Sequence, residues 1–232
     1  MEMSLGKRRR LQQATSPRGV FTVLAIDHRG PLRRKLAQDP AVKDADAELA
    51  ALKQDIVREL GPLCSAVLLD PEIGWGACVG SGALPGSTGL FLALDTGSTG
   101  DPAVLRTGLV EGWDPARIAR AGACGLKLLV YYHPAAPNAG EVQALVRDIG
   151  RACDAAELPF YLEPLSFDPD RPGVPLGSAE RRRVVVDTAR QLTPLGVDIL
   201  KAEFPVVADE VTEETAWVEA CGELTEASPG PV

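Results

Sequence analysis

Short apolar runs alternate along the chain with longer segments in which apolar residues recur every three or four positions. Six runs read as strands: Gly19 to Asp27 (GVFTVLAID), Ser65 to Asp70 (SAVLLD), Gly89 to Asp95 (GLFLALD), Gly125 to Tyr132 (GLKLLVYY), Pro159 to Phe167 (PFYLEPLSF) and Val197 to Phe204 (VDILKAEF). They are nearly continuous in apolar residues rather than alternating, which marks strands covered on both faces. The first helical pattern spans Lys43 to Leu60, with Ala47, Leu49, Leu52, Ile56 and Leu60 on its apolar side, and Gly61-Pro62 stops it. Asp114-Pro115 reads as the N-cap and first turn of a helix reaching about Ala121. Further helices are predicted over Gly140 to Ala156, from a Ser178 cap to Leu192, and over Val211 to Glu226. The glycine-rich stretch Gly74 to Gly86 reads as irregular with a short helix inside it, and Asp168 to Gly177 as a proline-rich loop.

Alternating strands and helices of this kind give a parallel sheet covered by helices, either doubly wound or closed as a barrel. No GxGxxG follows the first strand and no Walker motif is present, which weakens the nucleotide-binding sheet. No linker divides the sequence, so residues 1–232 read as a single domain, with the barrel the stronger of the two candidates.

Composition narrows the function classes. Hydrophobic residues make up 45% of the 232 residues, enough for a substantial core. No segment approaches the roughly 18 consecutive apolar residues of a membrane span, and no apolar run follows the basic start as a signal peptide requires. A net charge of −8 repels a phosphate backbone, so nucleic acid is a poor partner. The basic run Lys7 to Arg10 reads as a solvated N-terminal face. Five dispersed cysteines without a CxxC point to a reducing cytoplasm. The two histidines, His28 and His133, belong to no cluster with metal-ligand spacing, so neither a metal nor another cofactor is expected, and His133 reads as a loop residue.

Charges then stand where core strands should have none. Asp27, Asp70, Asp95, Glu163 and Lys201 lie at or near strand C-termini, and Lys127 lies early in the fourth strand. A buried charge is costly unless paired. In a barrel, however, the strand C-termini converge on the face that carries the active site. For Asp70 and Asp95 a strand-end cap or core ion pair is the preferred reading; Lys127, Glu163 and Lys201 sit inside apolar runs and point to chemistry. Strand alternation puts Glu203 on the same side as Lys201, Glu163 with Tyr161 and Leu165, and Asp27 with Val23 and Ala25. A lysine desolvated beside a second cation loses basicity, and a neutral amine can attack a ketone to form an iminium. That electron sink permits cleavage of a carbon–carbon bond. Glu163 suits the proton shuttle this chemistry needs, and Asp27 can take the proton from the hydroxyl that becomes the aldehyde.

The segments that carry these residues, LAIDHRGPLRR (Leu24 to Arg34), AVLLDPEIG (Ala66 to Gly74), LKLLVYY (Leu126 to Tyr132), PFYLEPLSFD (Pro159 to Asp168) and GVDILKAEFPV (Gly196 to Val206), follow a recognisable order and spacing. Together they resemble the class I tagatose-1,6-bisphosphate aldolase family and the similar sulfofructosephosphate aldolases. The resemblance runs from about Gly19 to Leu224 and implies a metal-free TIM-type (β/α)8 barrel. It implies Lys201 as the Schiff-base lysine, Glu163 as the acid/base, Asp27 as the carboxylate at the cleaved bond, and Lys127, His28 and Arg29 as substrate contacts. His28 stands where the family often has glutamine. The family pattern continues with two more βα units, whose loops commonly form a barrel's phosphate site. This sequence stops at Pro231-Val232, so the last two βα units are expected to be missing.

The implied function is cleavage of a phosphorylated ketohexose, tagatose 1,6-bisphosphate first, to dihydroxyacetone phosphate and an aldehyde such as glyceraldehyde 3-phosphate. The alternatives are a sulfofructosephosphate-type aldolase and a non-catalytic barrel that binds sugar phosphates. The expected partner is the phosphorylated sugar, with homo-oligomer assembly compatible with the family.

Overall fold

The computed structural model describes residues 3–99 and 104–228. In chain order the elements are α1 (Leu5–Ala14), β1 (Val23–Ala25), α2 (Gly30–Leu36), α3 (Ala45–Leu60), β2 (Ala66–Leu69), α4 (Gly74–Gly80), β3 (Gly89–Ala93), β4 (Asp95–Thr99), β5 (Arg106–Leu109), α5 (Pro115–Arg120), β6 (Gly125–Tyr131), α6 (Ala139–Ala155), β7 (Phe160–Leu165), α7 (Ser178–Leu192), β8 (Ile199–Leu200) and α8 (Glu214–Ala227). A six-stranded sheet has the order β1-β2-β3-β6-β7-β8, and β4 pairs with β5 as a separate hairpin. β1 with β2, β2 with β3 and β7 with β8 pair in parallel. This is the (β/α)-barrel class expected from the alternation, carried through six of its strands. No helix among the described residues is long and apolar enough to cross a membrane.

By internal packing the chain forms two compact units. One runs through Leu94 and includes Val110–Leu126; the other comprises Asp95–Leu109 and the chain from Lys127 onward.

In the first unit, β2 and β3 are buried along their whole length, as their unbroken apolar sequences require. Asp44 caps α3, its Oδ1 accepting from the N–H groups of Asp46 and Ala47 at 3.0 and 3.2 Å. The buried stripe of α3 is Leu49, Lys53 and Val57, spaced four apart, so a cation occupies the middle of a core face. Asp114 caps α5 as expected, accepting from the Arg117 N–H at 2.6 Å.

The basic N-terminus departs from its reading as a solvated face. It forms α1, capped by Ser4, whose Oγ accepts from the Lys7 N–H at 3.2 Å. Lys7 is buried, and Arg10 donates to the carbonyl of Ala123. The fully buried Ala14 lies against Gly89, where a Cβ would come within 2.7 Å of the Ala14 Cα. Gly89 is therefore the residue that lets α1 seat on the start of β3.

In the second unit, α6 presents Val142, Val146, Ile149, Gly150 and Cys153 to the core. Val185, Val186 and Ala189 of α7, Leu200 of β8 and Leu224 of α8 form a buried cluster. Ser178, expected as the α7 cap, is instead its first residue after Gly177. The cap comes from a distant side chain: Glu210 Oε2 accepts from the Ser178 N–H at 2.8 Å. Gly150 marks a close crossing, because a Cβ there would lie 2.6 Å from the Leu195 carbonyl oxygen and 3.1 Å from the Gly196 Cα. Gly150→Ala is therefore expected to lower the unfolding free energy, read from urea titration, by a net ~1–2 kcal/mol, the overpacking exceeding the gain in helix propensity. On the same helix Gly140 faces open space, and Gly140→Ala should stabilise by roughly 0.5–1 kcal/mol. Equal effects at the two positions would contradict the close crossing.

Candidate active site

The second unit gathers four ionisable side chains from four chain segments. The β7–β8 register pairs Tyr161 with Ile199 and Leu162 with Leu200, so Glu163 lies beside Lys201. The Lys201 N–H continues the pairing to the Leu162 carbonyl at 2.8 Å. Lys201 Nζ is 2.6 Å from Glu163 Oε1. The other carboxylate oxygen, Oε2, is 3.0 Å from Lys127 Nζ on β6. Lys127 Nζ is in turn 3.2 Å from Asp95 Oδ1 at the start of β4. That same Asp95 oxygen accepts from the Leu129 N–H at 2.9 Å, which ties the hairpin base to β6.

Burial differs sharply along this chain of charges. The side chains of Lys127 and Asp95 are 5% and 6% exposed, Glu163 16% and Lys201 48%. The expectation of a desolvated lysine thus describes Lys127, whereas Lys201 emerges just past a strand that ends at Leu200. Two cations and two carboxylates balance in charge, which lowers the cost of burying the inner pair. Glu163 touches both amines, so it can take a proton from one while the other keeps its carboxylate oriented.

Glu203 does not join this group, contrary to the alternation argument. β8 stops at Leu200, and Glu203 accepts from the Ser166 N–H at 2.6 Å and pairs with Arg181 at 3.3 Å. Asp95 forms a core ion pair, one of the two preferred readings; its partner, Lys127, is what the sequence does not reveal. The one available signal was the position of Asp95 at the C-terminal end of an apolar run.

Asp27, His28 and Arg29 lie in the first unit, after β1. Asp27 is largely buried, with its Oδ1 4.0 Å from Nδ1 of the exposed His28. Arg29 is 12% exposed and pairs through Nη1 with Glu72 Oε2. Asp70 is a core ion pair and a cap, as preferred from sequence: it binds Lys53 and accepts from the N–H groups of Glu72, Ile73 and Gly74. His133 is more than a loop residue. It is buried, its Nδ1 accepts from the Ala135 N–H at 3.1 Å, and its ring meets Phe167 edge-on at 6.4 Å. Burial, reinforced by the charge of Arg183, holds its pKa below the usual histidine range. Among the described residues no group of three or more His, Cys, Asp or Glu side chains could hold a metal ion.

Comparison with known proteins identifies the family and the fold. A family model described as DeoC/LacD family aldolase matches residues 21–232. The tagatose 1,6-diphosphate aldolase of Streptococcus agalactiae is 31% identical over 218 residues, covering 91% of this chain and 66% of the relative. Tagatose 1,6-diphosphate aldolase 1 of Streptococcus mutans is 33% identical over 215 residues, covering 89% of this chain and 65% of the relative. The chain thus spans just under two thirds of the length of these curated relatives. Among solved structures, a fructose-bisphosphate aldolase from Slackia heliotrinireducens superposes with a TM-score of 0.63 at 11% identity, over 100% of this chain and 73% of that one. A Schiff-base-forming fructose-1,6-bisphosphate aldolase gives a TM-score of 0.54 at 17% identity, over 97% of this chain and 90% of that one. At such identities the structural likeness speaks for the barrel fold.

Proposed function

The chain belongs to the DeoC/LacD aldolase family, and from that premise we propose that it is a class I, Schiff-base carbon–carbon lyase acting on a phosphorylated ketohexose, tagatose 1,6-bisphosphate first. The observation that carries the proposal is one carboxylate, Glu163, in contact with two lysines, Lys201 at 2.6 Å and Lys127 at 3.0 Å. The substrate class is supported by the curated relatives, which are named tagatose 1,6-diphosphate aldolases.

In this reading the neutral amine of Lys201 attacks the ketose carbonyl at C2. Glu163 carries protons to and from the carbinolamine, which loses water to give the iminium. Asp27 takes the proton of the C4 hydroxyl. The C3–C4 bond then breaks, its electron pair flows into the iminium to give an enamine, and the aldehyde departs. Glu163 returns a proton to C3, and water releases dihydroxyacetone phosphate and restores Lys201. Lys127, fixed between Asp95 and Glu163, orients the shuttle and supplies positive charge to substrate oxygens. Arg29 and His28 serve as substrate contacts.

The test is reductive trapping. Borohydride added with dihydroxyacetone phosphate should attach the ligand covalently to the peptide that contains Lys201, read by mass spectrometry. A folded protein that gives no adduct, or an adduct on a different lysine, would overturn the reading.

A further inference from the structure

The segment Asp70-Pro71-Glu72-Ile73-Gly74 takes no part in the chemistry above, yet it is tightly built. Asp70 is fully buried, and its Oδ2 meets the ammonium of Lys53, itself fully buried. Oδ1 accepts from the N–H groups of Glu72, Ile73 and Gly74 at 3.1, 2.7 and 3.3 Å. The Asp70 carbonyl accepts from the Trp75 N–H at 2.9 Å. A Cβ on Gly74 would stand 2.9 Å from Asp70 Oδ2 and 3.3 Å from Lys53 Cδ, so glycine alone fits the turn. A buried ion pair is thus spent on fixing one short turn at the end of β2.

What that turn presents is Glu72. Its carboxylate is 48% exposed and holds Nη1 of Arg29, whose own side chain is 12% exposed. β1 and β2 run parallel with Ala25 beside Leu68, so the Arg29 loop and the Glu72 turn leave the sheet at the same end. Arg29 follows Asp27 by two residues. A guanidinium recognises oxyanions through a planar fork, so its orientation matters as much as its charge. An arginine fixed before the ligand arrives also avoids part of the ordering cost of binding.

We propose that Glu72, held in place by the Asp70–Lys53 pair, is a positioning residue that orients Arg29 to receive an anionic group of the sugar substrate. The proposal rests on the reading of Arg29 as a substrate contact.

The experiment compares the wild-type chain with Glu72→Gln and Glu72→Ala by two measurements. In ligand-free protein the Nε–Hε NMR signal of Arg29, assigned by its loss in Arg29→Lys, should be sharp in wild type and broadened in both variants. In cleavage of tagatose 1,6-bisphosphate, KM should rise about five- to tenfold while kcat stays within about twofold, the pattern of lost uniform binding. The amide of Glu72→Gln can still accept a hydrogen bond, so its effect should be the smaller of the two. A merely structural role would lower the unfolding midpoint without moving KM. An unchanged Arg29 signal, or a wild-type KM in both variants, overturns the proposal. If wild type forms no adduct at Lys201, the catalytic reading fails separately. Titration of the Arg29 signal with inorganic phosphate then replaces KM, with weaker binding by the variants expected and equal binding overturning the proposal.

Discussion

Lys201→Met is expected to lower cleavage of tagatose 1,6-bisphosphate by at least ~10⁴-fold, because no other step supplies the electron sink once the amine is gone. The same variant should leave the fold intact. The Lys201 side chain is half exposed, and the Glu163 it leaves behind keeps Lys127 as a partner. Such a pair contributes on the order of 1 kcal/mol or less. Methionine also matches the length of the lysine stem, so the end of β8 need not move. Glu163→Gln separates the roles: Lys201 remains and should still be trapped by borohydride, more slowly, while kcat falls ~10²–10⁴-fold for want of a proton shuttle. Lys127 is a poorer probe, because its removal takes a counter-charge from the buried carboxylate of Asp95 and disturbs structure together with chemistry. The decisive comparison is the rate of aldehyde release by the Lys201→Met protein at a matched folded fraction. Cleavage near the wild-type rate would mean that Lys201 is not the nucleophile.

Much of this arrangement is legible in the sequence, and what is not has physical causes. The α3 helix follows from its Asp44 cap and its apolar residues at helical spacing, and the runs that form β2, β3, β6 and β7 contain enough unbroken apolar residues to announce buried parallel strands. Strand ends are blurred because an apolar run does not say where pairing stops: Val197 to Phe204 reads as eight residues of strand, and only Ile199–Leu200 is one. That difference misplaced Glu203. The α1 helix escaped notice because it has few apolar residues, although arginine, lysine, leucine, glutamine and alanine all favour helix. The paired strands β4 (DTGST) and β5 (RTGL) are made mostly of small and polar residues without alternation, and no periodicity reveals them. In the site, Lys127, Glu163 and Lys201 stand out as charges in apolar runs. Their contacts do not, since cross-strand register and the partner of a strand-end carboxylate such as Asp95 are set by tertiary pairing.

The Lys53–Asp70 pair supplies the largest expected effect on stability. Both side chains are fully buried, one on the core stripe of α3 and the other at the end of β2. The surroundings are dry enough that burial pushes the nearby Cys78 thiol up to about 11, despite the opposing charge of Lys53. Lys53→Met should therefore cost ~3–5 kcal/mol, since it leaves the Asp70 carboxylate buried without a counter-charge. Asp70→Asn should cost a similar amount for the converse reason, an ammonium stranded in the core. The double variant Lys53→Met/Asp70→Asn should recover most of the loss: the uncharged pair fills similar volume, and the asparagine Oδ1 can still accept from the Ile73 and Gly74 N–H groups. Replacing Asp70 by leucine instead should not recover it, because those backbone donors would be left unsatisfied. Unfolding free energies from urea titrations of wild type, the two single variants and the double variant close the cycle; single losses of ~3–5 kcal/mol each against roughly 1–2 kcal/mol for the double give an expected coupling of about 4 kcal/mol or more. Additive single effects would show that the two charges do not depend on each other. Strong coupling would mean that the turn presenting Glu72 to Arg29 is anchored by a pair that neither residue can leave alone.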